Sequence, residues 1–222
     1  MKTIVTTGCS FTNLITSDLG LLPTWSDYLE KKLPNDLVIN VGHKGSSNDI
    51  ILRGLINSVD ELLKEGRKID HVIIQLTTMP KNEGFRNNYN FWENYYQNIY
   101  SDELHFFELL EKIFMTQCYL KTKGIKYTMF CGWDLFTDSG DKEIFSKTTR
   151  YENSENVLLK DKFSNCQANT HNSNFGVLDY WEKLIDWDQW WFFTFYNKIK
   201  FGGLTEWSQY NLDKENWYQD DL

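Results

Sequence analysis

Three short segments carry the residues whose types and spacing could do chemistry. Gly8-Cys9-Ser10-Phe11-Thr12-Asn13 follows the β-branched run Thr3–Thr7. Gly42-His43-Lys44-Gly45-Ser46-Ser47-Asn48 follows Leu37–Val41, and Thr77-Thr78-Met79-Pro80 follows His71–Leu76. In an open parallel sheet the ligand crevice lies outside the carboxyl ends of the strands, so three such segments converge on one edge. Gly8 allows a sharp turn that sets Ser10 at or near the start of the next helix. There its hydroxyl is exposed, and backbone N–H groups and the helix dipole favour negative charge. Gly45 lets a second backbone N–H come close to a ligand. Two N–H groups from different loops are the elements of an oxyanion hole, each donor worth about 3 kcal/mol in acyl transfer. His43 stands in the second loop, placed either to touch a substrate or to face solvent.

Each segment also has a plainer reading. Ser is a favoured helix N-cap and Gly a favoured turn residue, so Gly-x-Ser after a strand is a weak motif by itself. A turn followed by a helix cap accounts for most of Gly45-Ser46-Ser47-Asn48. A phosphate cradle is a third reading, although the pattern G-x-x-x-x-G-K-[ST] is absent. The order and spacing of all three loops carry more information than any one of them.

The elements that must position these loops follow from periodicity. Residues 3–7, 37–41, 71–76 and 127–131 read as strands, the third nearly all apolar, as befits a strand covered on both faces. Trp25, Tyr28, Leu29 and Leu33 fall at helical spacing and stop at Pro34. A second helix begins at Ser47 or Asn48, carries Leu52, Leu55, Ile56, Val59, Leu62 and Leu63 on one face, and ends at Gly66. A third spans about 102–122, with Leu104, Phe107, Leu110, Phe114, Gln117 and Leu120 on one face and Gly124 beyond it. Strands alternating with helices imply a parallel sheet with right-handed crossovers, a three-layer α/β domain. Residues 80–101 have no clean period. Residues 136–178 form a polar and aromatic excursion, residues 179–195 read as a helix, and Gly202-Gly203 as a turn. No Pro-rich linker divides the chain, so 1–222 reads as one domain.

Composition sets the outer limits. The 222 residues carry 23 Lys+Arg against 31 Asp+Glu, a formal net charge of −8. That argues against a general nucleic-acid binder, which needs a basic face to displace counterions. No apolar run is long enough to span a membrane, and the N-terminus lacks a secretory pattern, so a cytoplasmic protein without membrane partners is expected. The chain has 9 Trp, 12 Tyr and 15 Phe but one alanine, Ala168, so its core is built from large planar side chains. The late tryptophans read chiefly as core or cap packing, with stacking on a sugar face as the functional alternative. The four cysteines form no Cys-x-x-Cys pair, and Cys118 and Cys131 read as small core hydrophobes. Asp134, Asp138 and Asp141 cluster after the fourth strand, but without an EF-hand register, so no metal and no cofactor is expected.

The strand-GCSFTN block, the VINVGHKGSSNDII block some thirty residues on and the DHVIIQLTT strand together resemble the SGNH (GDSL-type) hydrolase superfamily, in a divergent GCSFT branch with Cys in place of the usual Asp. The resemblance covers about residues 1–135. It implies a flavodoxin-like α/β/α sandwich and an esterase or acyl hydrolase acting on an O-acyl ester of a carbohydrate or another small molecule. Ser10 matches the nucleophile, and the N–H groups of Ser10 and Gly45 match two oxyanion donors. The family's third block supplies an Asn as a further donor. Here that stretch reads Thr77-Thr78-Met79-Pro80, so Asn48 is the preferred substitute, with Asn82 and the Thr78 hydroxyl as others. Arg86 could hold an anionic substrate group or be a surface arginine.

The last block of the family is Asp-x-x-His, whose His activates the serine and whose Asp orients the His. Asp220 matches its first residue, and the sequence ends at Leu222, one position short of the histidine. The expectation is therefore a truncated product or a lineage that has lost the catalytic step. Among the histidines present, His71 opens a strand at the far end, His105 lies in a helix turn, and His43 or His171 is a surrogate base. The competing reading is a non-catalytic SGNH-like binding module, or a phosphate or nucleotide binder using the same loops. Oligomeric state is not legible.

Overall fold

The structure, a computed structural model, describes residues 1–13, 15–17, 20–77, 102–133, 135, 149–150, 156–157, 181, 183–196, 199–201 and 203–211. Strand β1 (Thr3–Thr7) leads into a turn and a small hairpin of β2 (Ile15–Ser17) and β3 (Gly20–Leu22). Helix α1 (Trp25–Lys32) follows, then β4 (Leu37–Asn40), α2 (Asn48–Lys64), β5 (His71–Leu76), α3 (Asp102–Thr122) and β6 (Lys126–Cys131). Thr24 caps α1 in a reciprocal box with Asp27, and the Ser47 hydroxyl caps α2 through the Ile50 amide. Gly66 and Gly124 follow α2 and α3 with φ of +78° and +68°, the left-handed turn that favours glycine.

No helix starts at Ser10, contrary to the sequence expectation. Residues 9–13 form a turn in which the amides of Thr12 and Asn13 both donate to the Cys9 carbonyl, at 2.9 and 3.2 Å. The carboxamide of Asn13 does not reach back to cap a helix but donates to the Gly42 carbonyl at 2.7 Å. The capping box at Thr24 supplies the helix start instead.

The main sheet runs β4-β1-β5-β6-β9, where β9 is Trp190–Trp191. All four pairings are parallel. In order along the chain this is 2-1-3-4-5, the doubly wound flavodoxin-like arrangement. Residues 179–195 are not one helix: after residues 183–184 comes a 3-10 turn, Trp187–Gln189, and then β9. The run Trp190-Trp191-Phe192-Phe193 is rich in strand formers, and the free edge of β6 takes it, Met129 pairing with Trp190 and Phe130 with Trp191.

A second sheet draws together distant pieces: β7 (Thr149–Arg150), β8 (Asn156–Val157), β10 (Thr194–Tyr196) and β11 (Ile199–Phe201), in the order β7-β10-β11-β8. Two short strands of the 136–178 excursion thus pair with the segment that follows β9. Helix α4 (Leu204–Asn211) succeeds β11, and its Thr205 amide donates to the Gly132 carbonyl at 2.8 Å.

The principal core lies between the sheet and the α2–α3 layer. Ile51, Leu52, Leu55 and Val59 of α2 meet Phe106, Leu109, Leu110, Ile113 and Leu120 of α3 over Val5, Val72, Ile74 and Met129. The buried stripe of α3 therefore runs through Phe106, Leu109, Leu110 and Ile113. Phe107 and Phe114, expected at its centre, are only partly buried at its margin. Cys118 falls off the stripe and is exposed, a correction to its expected core role, whereas Cys9 and Cys131 are buried. On the opposite face the described residues form a thinner layer. There Thr6 bonds Ser26 of α1 at 2.7 Å, and Phe130 meets Trp25 edge-on at 5.2 Å. Among the described residues no helix is long and apolar enough to cross a membrane.

Candidate functional site

The carboxyl ends of β1, β4 and β5 lie side by side, and their loops are stitched together by hydrogen bonds. The His43 amide donates to the Gly8 carbonyl at 3.1 Å, and Asn13 Nδ2 donates to the Gly42 carbonyl, so the first and second loops form one rim. Asn40 Nδ2 and the Thr24 hydroxyl both donate to the Thr12 carbonyl, at 2.5 and 3.0 Å. The rim is closely packed: a Cβ on Gly42 would lie 3.1 Å from the Gly8 carbonyl oxygen.

Ser10 occupies the middle of the 9–13 turn and is half-buried. Gly45 holds a φ of +77°, which L side chains rarely adopt, and this sets the direction of its N–H. Neither the Ser10 amide nor the Gly45 amide donates to another described backbone group. His43 is exposed beside them. Peptide N–H groups left open on adjoining loops are the kind of donor that an oxyanion or another small anion takes when they face one space.

Asn48 has a definite structural task. Its Nδ2 donates to the Thr77 carbonyl at 3.0 Å, and its Oδ1 accepts from the Thr77 amide at 2.8 Å. The side chain thus acts as one more stretch of β-strand, satisfying the end of β5 where the ladder stops. One Nδ2 hydrogen remains for any further role. Thr78, Arg86, Asn82, His171 and Asp220 lie outside the described residues, as do Asp134, Asp138 and Asp141. Among the described residues no three His, Cys, Asp or Glu side chains are grouped to hold a metal ion.

The residues that shape the rim include several that sequence reasoning missed. Gln75, fully buried in β5, accepts from the Thr12 hydroxyl at 2.6 Å and from the Trp25 indole N–H at 2.8 Å. Among the described residues its Nε2 has no hydrogen-bond partner. The available signal was one polar residue inside the apolar run Val72-Ile73-Ile74-Gln75-Leu76. Asn13, Asn40 and Thr12 could be flagged only by knowing which backbone groups the strand ends leave open.

The perturbed titratable groups sit elsewhere. His71, at the start of β5, has its pKa lowered by burial and then by Lys126 and Lys2, and its Nε2 meets the Thr128 hydroxyl at 2.9 Å. Burial and hydrogen bonds to Asp60 and Asp186 push the Tyr119 and Tyr127 phenols up. Asp70 is lowered by Lys68 and by the Thr3 amide that it accepts. These are structural ties at the amino end of the sheet, opposite the Ser10 rim. Perturbed titration alone would therefore point to the end of the sheet away from the Ser10 rim.

No protein-family model matches the chain, and no curated protein matches it. Among solved structures, the chain is similar to a member of the lipolytic protein G-D-S-L family from Veillonella parvula. The likeness has 16% identity and a TM-score of 0.33, and covers 64% of this chain. The chain spans 63% of the length of that protein. A likeness this slight carries nothing about activity, and the fold assignment rests on the parallel 2-1-3-4-5 strand order itself.

Proposed function

We propose that the chain is a serine ester hydrolase of SGNH type, acting on an O-acyl ester of a carbohydrate or another small molecule. The observation that carries the reading is the joined rim. Ser10 lies in a closed turn bonded directly to the loop of Gly45, and both residues have amides free of other described backbone groups. In this reading the Ser10 hydroxyl attacks the ester carbonyl, and the amides of Ser10 and Gly45 receive the negative charge that develops on its oxygen. Asn48 adds its remaining N–H to that charge, and His43, Thr78 and Arg86 contact substrate. In this reading an imidazole takes the serine proton, with His43 of the rim or His171 as the source and Asp220 as the carboxylate that orients it.

The test is labelling by a fluorophosphonate probe, which reacts with activated serines. The expected result is labelling of the protein and none of the Ser10→Ala variant. Equal labelling of both would end the reading.

A second reading is supported by Asn48, whose carboxamide is already committed to the Thr77 backbone. A rim with two free amides and one committed side chain suits a non-catalytic module that binds a small anion or a phosphate. It predicts no labelling, together with protection of the rim amides from exchange by inorganic phosphate.

A further inference from the structure

We infer that Gln75 is a positioning residue for Ser10, acting through Thr12 on the turn that carries the nucleophile. The kinetic part of this inference rests on the ester-hydrolase reading. The structural part rests on hydrogen bonds alone.

The orientation of the Gln75 carboxamide is fixed by its neighbour. An indole N–H can only donate, so the group facing Trp25 Nε1 must be the amide oxygen. The Thr12 hydroxyl then donates to that same oxygen, and its own oxygen receives a second share of the Trp25 N–H at 3.0 Å. Thr12 is held at its other groups as well. Its amide closes the turn on Cys9, and its carbonyl accepts from Asn40 and Thr24. Ser10 lies inside the turn so closed.

The space around Gln75 is kept clear for it. A Cβ on Gly8 would lie 2.9 Å from Gln75 Cβ, and one on Gly132 would lie 2.5 Å from Gln75 Nε2. Glycine thus stands on both sides of this side chain, after β1 and after β6. A strand covered on both faces is ordinarily filled by an apolar residue. Here it carries a buried amide whose nitrogen has no partner among the described residues. What the amide contributes is its oxygen, which joins β5, the Ser10 turn and the first residue of α1.

The test uses Thr12→Val, which keeps shape and removes the hydroxyl, Thr12→Ser, which restores it, and Gln75→Met. Fluorophosphonate inactivation is resolved into probe binding and maximal rate, and amide exchange of residues 9–13 is followed with residues 106–120 as an internal reference. Thr12→Val is expected to lower the maximal rate about ten- to hundredfold with probe binding unchanged. Thr12→Ser is expected to recover most of that loss. Exchange at Thr12 and Asn13 should quicken in Thr12→Val while α3 stays protected. A Thr12→Val variant that reacts at the wild-type rate, or whose 9–13 amides exchange as before, overturns the inference. If the wild-type protein does not label at all, the hydrolase reading fails separately, and exchange at Thr12 and Asn13 decides the role of Gln75: it should quicken in Gln75→Met as in Thr12→Val, and unchanged exchange in a folded Gln75→Met overturns the inference. Should Gln75→Met fail to fold, the two Thr12 variants carry the test.

Discussion

Two of the carboxamides that clamp backbone among the described residues, Asn48 and Gln117, do so in opposite surroundings. Asn48 holds the amide and carbonyl of Thr77 at the end of β5. Gln117 of α3 holds the Leu184 carbonyl at 2.6 Å and the Asp186 amide at 3.0 Å, just ahead of β9. The loops at the Asn48 end of the sheet bury small and polar residues: Thr12, Ser46, Thr77 and Gly42. Beyond Gln117 they are rings. Trp190 stacks on Phe192 at 6.0 Å, Trp187 lies 5.4 Å from Trp190, and Trp181 meets Phe114 edge-on. Hydrogen bonds are directional and fix a loop in one geometry, whereas apolar burial is non-directional and supplies cohesion. The rim is built for exact placement of a few atoms. The tryptophan-rich tail is built to close the free edge of β6.

Mutations that separate placement from cohesion test this contrast. The largest stability effect is expected in the tail. Trp190→Ala should destabilise the fold by about 3–5 kcal/mol, measured by urea unfolding, while Ser10 in the folded fraction keeps its probe reactivity. Asn48→Ala should do the reverse. It strips both partners from the Thr77 backbone, costing about 2 kcal/mol, and it should slow Ser10 labelling beyond what unfolding accounts for.

The smallest effect concerns His71, outside both regions. Its folded pKa is lowered by burial, so the folded state binds the proton less readily than the unfolded chain. The associated stability is complete above about pH 6.5, the ordinary histidine value, and is lost as the pH falls below it towards the folded pKa. Melting followed between pH 7.5 and 5.5 should show a decline that is smaller in His71→Gln. At a fixed pH, His71→Gln should leave Ser10 labelling unchanged.

Legibility in the sequence follows the same division. The strands and long helices of residues 1–131 are readable because each has a complete hydrophobic period and a glycine or cap at its end. The hairpin at 15–22 and strand β9 are not, because their conformation is decided by what they pair with. Two paired residues on the edge of β6 outweigh the helical spacing of residues 179–195. In the candidate site, Ser10 and Gly45 are readable as a turn serine and a loop glycine at strand ends. Gln75 and Thr12 are not, since their roles depend on a bond spanning 63 positions. The expected helix start at Ser10 does not occur: residues 9–13 close as a turn on the Cys9 carbonyl, and the first helix begins after Thr24.

The most direct test of the central claim, that Ser10 is a nucleophile held by the rim, is to map the fluorophosphonate adduct by peptide mass spectrometry. The account predicts one adduct per chain, on Ser10, absent in Ser10→Ala. An adduct on any other residue, or an unmodified Ser10 in folded protein after prolonged exposure, would contradict it.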